Sequence, residues 1–294
     1  MISAENAIRI QYFLYFGAMG VYLPYFNLYC LEIGFSGFQI GALSALRAAV
    51  LIVFALLWGH LADRKGIRRP IYIGCSIASA GLWSLFLFTT DFGFMMAITF
   101  MYGLFYAPII SFLEAFAMDV LGKTKHRYGQ TRAWGSIAFI AVALGIGRLL
   151  DQHAIGIIIG LILAISAIQA LASTGMPKTN TQRPVEAHDA VRLLSGSTVI
   201  FLICAFLMLV SHGAYYAFFS IHLKQLGHGG SFIGITWALA SAAEVVVMIG
   251  SVRLFARVSV KRVLAISFAV ASVRWTILYA TSSTVAILAS HLLH

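Results

Sequence analysis

What most limits the fold of this chain is a repeated pattern: apolar stretches of about twenty residues or more, set apart by short polar clusters. They run roughly 9–31, 38–60, 70–89, 93–120, 130–150, 154–174, 198–222, 231–252 and 262–281, and a tenth starts near Ser283. A helix crosses a ~30 Å hydrocarbon core in about 20 residues, so nine stretches are long enough to span a bilayer. No alternating polarity breaks them, which excludes the ~10-residue dyad pattern of a membrane β-barrel. With 61% hydrophobic and 10% charged residues, and a mean hydropathy of +0.91, the chain carries more apolar surface than a water-soluble domain can bury. The predicted fold is all-α and membrane-embedded. Ser283 to His294 rises only ~18 Å, so the chain is expected to stop inside the membrane as a fragment with a truncated second half. No small-residue cleavage site precedes the first run, which predicts a retained span and not a signal peptide. Cys30, Cys75 and Cys204 lie singly in apolar segments and predict small buried hydrophobes, with no metal or disulfide framework.

The formal net charge of +10 is placed as a topology signal, not as a nucleic-acid footprint. Fifteen basic residues gather on one side: Arg9 and the Lys and Arg of 64–69, 123–127, 178–192 and 253–262. Arg148 and Lys224 fall on the other, which predicts a cytoplasmic N-terminus. The longest polar stretch, Gly175 to Ser197, contains Pro177 and Pro184 and follows six spans. The expected organisation is therefore a six-helix half (1–174), a cytoplasmic linker (175–197) and a second half (198–294). An internal echo supports it: Gly59 to Arg69 after the second span has a weaker counterpart in Gly250 to Arg262 after the eighth.

Several charges lie inside the spans, where each costs roughly 2.5–3.5 kcal/mol on insertion scales and is usually paired and functional. Glu114 and Arg132 flank the polar turn 122–127 almost symmetrically, so antiparallel helices would bring them to one depth. The alternative is that both snorkel to water. Arg47, Glu244, Arg274 and His294 each lie roughly 13–20 Å from the start of their spans. Glu244, Arg274 and His294 come from three successive spans and could form one cluster, the usual material of a proton relay; the alternative is ion pairs that lock helices together. His212, Tyr215 and Tyr216 form either a packed patch or a cavity wall. Trp134 and Trp275 read as packing residues, and Gly17, Gly20 and Gly41 as sites of close helix contact.

Gly59-His-Leu-Ala-Asp-Arg-Lys-Gly-Ile-Arg-Arg69 resembles the loop signature of the major facilitator superfamily, G-x-L-A-D-R-x-G-x-R-R, at every fixed position, with Gly59, Asp63, Arg64, Gly66, Arg68 and Arg69 as the candidate conformational residues. Glycines there permit a tight turn, and Asp63 is suited to cap a helix N-terminus. Within that superfamily the chain looks like the lactose-permease-related branch, and most like the 3-phenylpropionate permeases. The resemblance rests on Tyr22-Leu-Pro-Tyr-Phe26, Tyr128-Gly129 with Arg132 to Phe139, His212-Gly-Ala-Tyr-Tyr216, Ala243-Glu-Val245, Val273-Arg-Trp275 and Leu292-Leu-His294. It implies that Glu114 and Arg132 bind the solute and that Phe139 stacks on it. The family's sugar permease has Trp at that last position, so a galactoside is not the expected cargo.

The resemblance and the residues together predict a proton-coupled secondary transporter of a bacterial-type inner membrane, monomeric when full length, that works by alternating access without cofactor or metal. Glu114, Arg132, Phe139, Arg47, Tyr215 and Tyr216 are the candidate solute residues, and Glu244, Arg274 and His294 the candidate coupling residues. Three deep arginines (47, 132, 274) against two glutamates (114, 244) favour a small, partly hydrophobic carboxylate; a sugar or nucleoside is the alternative. A membrane enzyme would need H-E-x-x-H, G-x-S-G with a partnered His, or paired Asp, and none is present. A receptor or non-transporting scaffold is the remaining alternative, against which the loop echo and ninth span speak.

Overall fold

The computed structural model describes residues 3–178 and 195–294; for Lys123, Lys125, His126 and residues 251–256 it describes the backbone alone. Most of the expected linker, with Pro184, Arg183 and Arg192, and the side chains of the second loop motif lie outside the described residues.

Among the described residues, ten α-helices follow one another: α1 (Ala4–Glu32), α2 (Gly37–Lys65), α3 (Arg68–Trp83), α4 (Phe92–Leu121), α5 (Tyr128–Leu150), α6 (Ile157–Ser173), α7 (Gly196–Gln225), α8 (Gly230–Arg257), α9 (Val260–Ala280) and α10 (Thr284–His291). Their starts are written locally. Ser3, Asp91 and Ser195 cap α1, α4 and α7 by accepting backbone N–H groups, and Ser36 with Gln39 forms a reciprocal capping box on α2. Seven of these helices are long and apolar enough to cross a membrane, α3 together with the 3-10 turn that extends it to Leu87. α6 is apolar but has 17 residues, and α1, with 29, is outside the seven. Two of α1's polar contacts are made inside the bundle. Gln11 donates to the Gln169 carbonyl at 3.2 Å and accepts from the Tyr72 hydroxyl at 2.8 Å, tying α1, α3 and α6 together.

The loop motif departs from expectation at two positions. Gly59 lies within α2 and makes no turn; Gly66 does, ending that helix in the left-handed conformation at φ 65°. Asp63 caps nothing: it sits in the last turn of α2 and takes Arg68 at 3.2 Å, while α3 begins without a side-chain cap. Arg68 also reaches Asp119 at 2.9 Å, and Arg69 caps the end of α6 through the carbonyls of Thr174 and Met176, both at 2.6 Å. The basic residues therefore clamp α2, α3, α4 and α6 at one end of the bundle.

At the opposite end, α1–α6 meet α7–α10 backbone to backbone. A Cβ on Gly147 of α5 would stand 2.6 Å from the Gly230 carbonyl, and one on Gly234 of α8 would stand 2.4 Å from that of Ala143. Tyr25 donates to the Ala143 carbonyl at 2.9 Å, and Asn27 to that of Ala217 on α7 at 2.9 Å. Asp151, just past α5, accepts the Ser231 backbone N–H at 3.2 Å, and its hydrogen bonds from Ser231 hold its carboxyl below the usual carboxylate range. Because that pKa is depressed, the contact is fully present above the ordinary Asp pKa and is lost as pH falls through the lowered one. Gly234→Val should force α5 and α8 apart. Maleimide labelling of a Ser231→Cys reporter should then quicken several-fold; an unchanged rate would show that the glycine contact does not hold this end shut.

Candidate functional site

Between the two groups of helices, at mid-depth, lies a cavity of about 160 Å³. Three helices each give it one face. α1 contributes Phe16, Met19 and Leu23; α5 contributes Arg132, Ser136 and Phe139; α8 contributes Trp237, Ala240, Ser241 and Glu244. These spacings of three, four and seven mark a single stripe on each helix. Tyr216 of α7 and His294, beyond α10, complete the wall, and Phe139 faces Trp237 with ring centres 6.4 Å apart.

The first charged cluster is the one expected across the 122–127 turn. Arg132 Nε stands 3.5 Å from Glu114 Oε1, and the Tyr128 hydroxyl donates to Glu114 Oε2. The guanidinium lies over the Phe16 ring at 3.8 Å and 5.5 Å from that of Tyr12. Arg132 reaches the cavity, whereas Glu114 stands behind it as its ionic partner.

The second cluster brings Glu244, Arg274 and His294 together, with His294 as the bridge. His294 Nε2 is 2.8 Å from Glu244 Oε1, and His294 Nδ1 is hydrogen-bonded to Arg274 Nη1. A guanidinium can only donate, so Nδ1 accepts. In the tautomer with hydrogen on Nε2, the ring accepts from Arg274 and donates to Glu244. Arg274 is 1% exposed and lies over Tyr215 at 4.3 Å and Trp275 at 4.9 Å.

Two other candidates are absent from the cavity wall. Tyr215 sits beneath Arg274 and faces His291 Nε2 at 3.2 Å, and Arg47 of α2 stacks on Tyr22 at 4.2 Å. Residues that the sequence pattern did not single out do line it: Phe16, Met19, Ser136, Trp237 and Ser241. Trp237, seven residues before Glu244 on the same helical face, is the one that spacing could have found. Tyr128, four residues before Arg132, was available in the same way.

Long apolar helices that are sealed at one end over a mid-depth cavity, with charges on its wall, make a membrane carrier. The chain belongs to the MFS_1 like family, whose model matches residues 6–294. It is 26% identical over 305 residues to a probable 3-phenylpropionic acid transporter of Escherichia coli (strain K12), covering 100% of this chain and 79% of that protein. It is 27% identical over 288 residues to a maltose permease of Geobacillus stearothermophilus, covering 93% and 70%. The crystal structure of the nucleoside transporter NupG (D323A mutant) superimposes with a TM-score of 0.84 at 20% identity, over 99% of this chain and 79% of that one, which establishes the major facilitator fold. The protein is a multi-pass membrane transporter and not an enzyme.

Proposed function

We propose that this protein is a secondary active transporter that carries a small, partly hydrophobic carboxylate together with a proton. The observation that carries this reading is that Arg132 and the Glu244–His294 pair stand on the wall of one cavity. A fixed cation suits an anionic solute, and a carboxylate hydrogen-bonded to a neutral imidazole is a group that can take up and release a proton. Glu114 orients Arg132, and Phe139 with Trp237 offers flat faces to an aromatic or alkyl body. The two helical halves, 1–174 and 198–294, rock about this site, with the N-terminus in the cytoplasm and the monomer as the working unit.

A nucleoside is the second reading, supported by Ser136 and Ser241 beside the aromatic faces as partners for ribose hydroxyls. Uptake into proteoliposomes, with and without a proton gradient, tests both. Labelled 3-phenylpropionate should accumulate only with the gradient, and unlabelled acids should compete where their amides, maltose and nucleosides do not. Equal competition by the amides, or competition by nucleosides alone, would refute the carboxylate reading.

A further inference from the structure

The three deep arginines are not alike. Arg132 has Glu114, and Arg274 has His294 with Glu244 beyond it. Arg47 has no carboxylate within ion-pair distance among the described residues. Its guanidinium lies on the Tyr22 ring at 4.2 Å, with Tyr15, Tyr102 and Tyr106 as its other electrostatic neighbours. Its Nη2 donates to the Met19 thioether at 3.6 Å, and its Nε is buried without a partner. A thioether is a weak acceptor, and a guanidinium withdrawn from water onto such a partner is poorly compensated.

Met19 connects this residue to the transport site. The same side chain that accepts from Arg47 also lines the cavity. Methionine has three rotatable bonds and repacks easily, so this side chain is able to give way between Arg47 and the cavity. We propose that Arg47 is a second guanidinium for the solute's carboxylate beside Arg132, and that the carboxylate displaces the Met19 sulfur while the apolar body stays between Phe16, Phe139 and Trp237. A carboxylate is the stronger acceptor, and the planar fork matches its two oxygens. The charge surplus counted along the sequence is thereby located at one residue. This inference rests on the carboxylate reading above, and it adds the partner of the charge and the side chain that guards it.

The test is equilibrium binding of 3-phenylpropionate and of uncharged 3-phenylpropionamide to the purified full chain in lipid nanodiscs. Wild type, Arg47→Gln, Arg47→Lys and Met19→Leu are compared. The wild type should prefer the acid, and Arg47→Gln should lower the acid-to-amide affinity ratio at least tenfold. Arg47→Lys, which keeps the charge without the fork, should fall between them. Met19→Leu, which removes the competing sulfur, should keep or raise the ratio. An unchanged ratio in Arg47→Gln overturns the assignment while the carboxylate reading survives. If Arg47 only packs helices, both affinities fall together and the ratio stays put, which overturns the assignment in the same way. A wild type that shows no preference for the acid sinks the carboxylate reading, and this inference with it.

Discussion

Glu114→Gln and Arg132→Lys should each weaken solute binding at least tenfold, a loss of about 1.4 kcal/mol, while the protein still inserts into the membrane. The reason is geometric. The Arg132 guanidinium lies on the Phe16 ring at the cavity wall, with Glu114 as its ionic partner at 3.5 Å. Gln keeps the shape of Glu114 but removes the charge that anchors the fork, and Lys has no plane to hold. Breaking one partner of a fully buried charge pair costs about 2–5 kcal/mol. These side chains are 24% and 33% exposed, so the low end or below is expected. Binding measured on proteoliposomes decides the matter, and wild-type affinity in both variants would remove the pair from the site.

Glu244→Gln should abolish accumulation against a gradient and leave solute exchange across the membrane intact. The amide still accepts the His294 Nε2–H that now reaches Glu244 Oε1 at 2.8 Å, so the cavity wall keeps its shape. What the amide cannot do is take up a proton and give it back. In paired assays on the same vesicles, net uphill uptake should fall to the level of protein-free liposomes, and counterflow should persist. Uphill uptake that survives the substitution would move the coupling group elsewhere in the chain.

The helices were legible in the sequence because a bilayer demands about twenty apolar residues per crossing and tolerates few interruptions. Expected span limits such as 38–60 fall within α2, Gly37–Lys65, and the rest differ mainly at the ends, where capped helices run on past the apolar core. The Glu114–Arg132 contact was also legible, since two charges at equal distance from a turn must sit at one depth in an antiparallel pair. The cavity's apolar lining was not. In a membrane protein the lipid-facing and the buried sides of a helix are both apolar, so Phe16 and Leu23 carry no mark that separates them from exposed Phe206 or Ile249. The seal at Gly147 and Gly234 was hidden for a related reason: a glycine used for close approach looks the same in sequence as an idle one. That Glu244, Arg274 and His294 could meet was legible from their depths in successive spans, but only the placement of the ring shows that His294 stands between the other two.

The direction of the hydrogen bonds from Arg274 through His294 to Glu244 has a consequence for energy conservation. A carrier that handles protons must not let them through unaccompanied, or it would short-circuit the gradient that it draws on. Here the imidazole's one lone pair is occupied by a donor that does not release its own proton, and its other nitrogen already bears hydrogen. For the proton coupling proposed above, this leaves Glu244 with no onward proton path through the ring while the bridge stands, and the bridge would act as insulation.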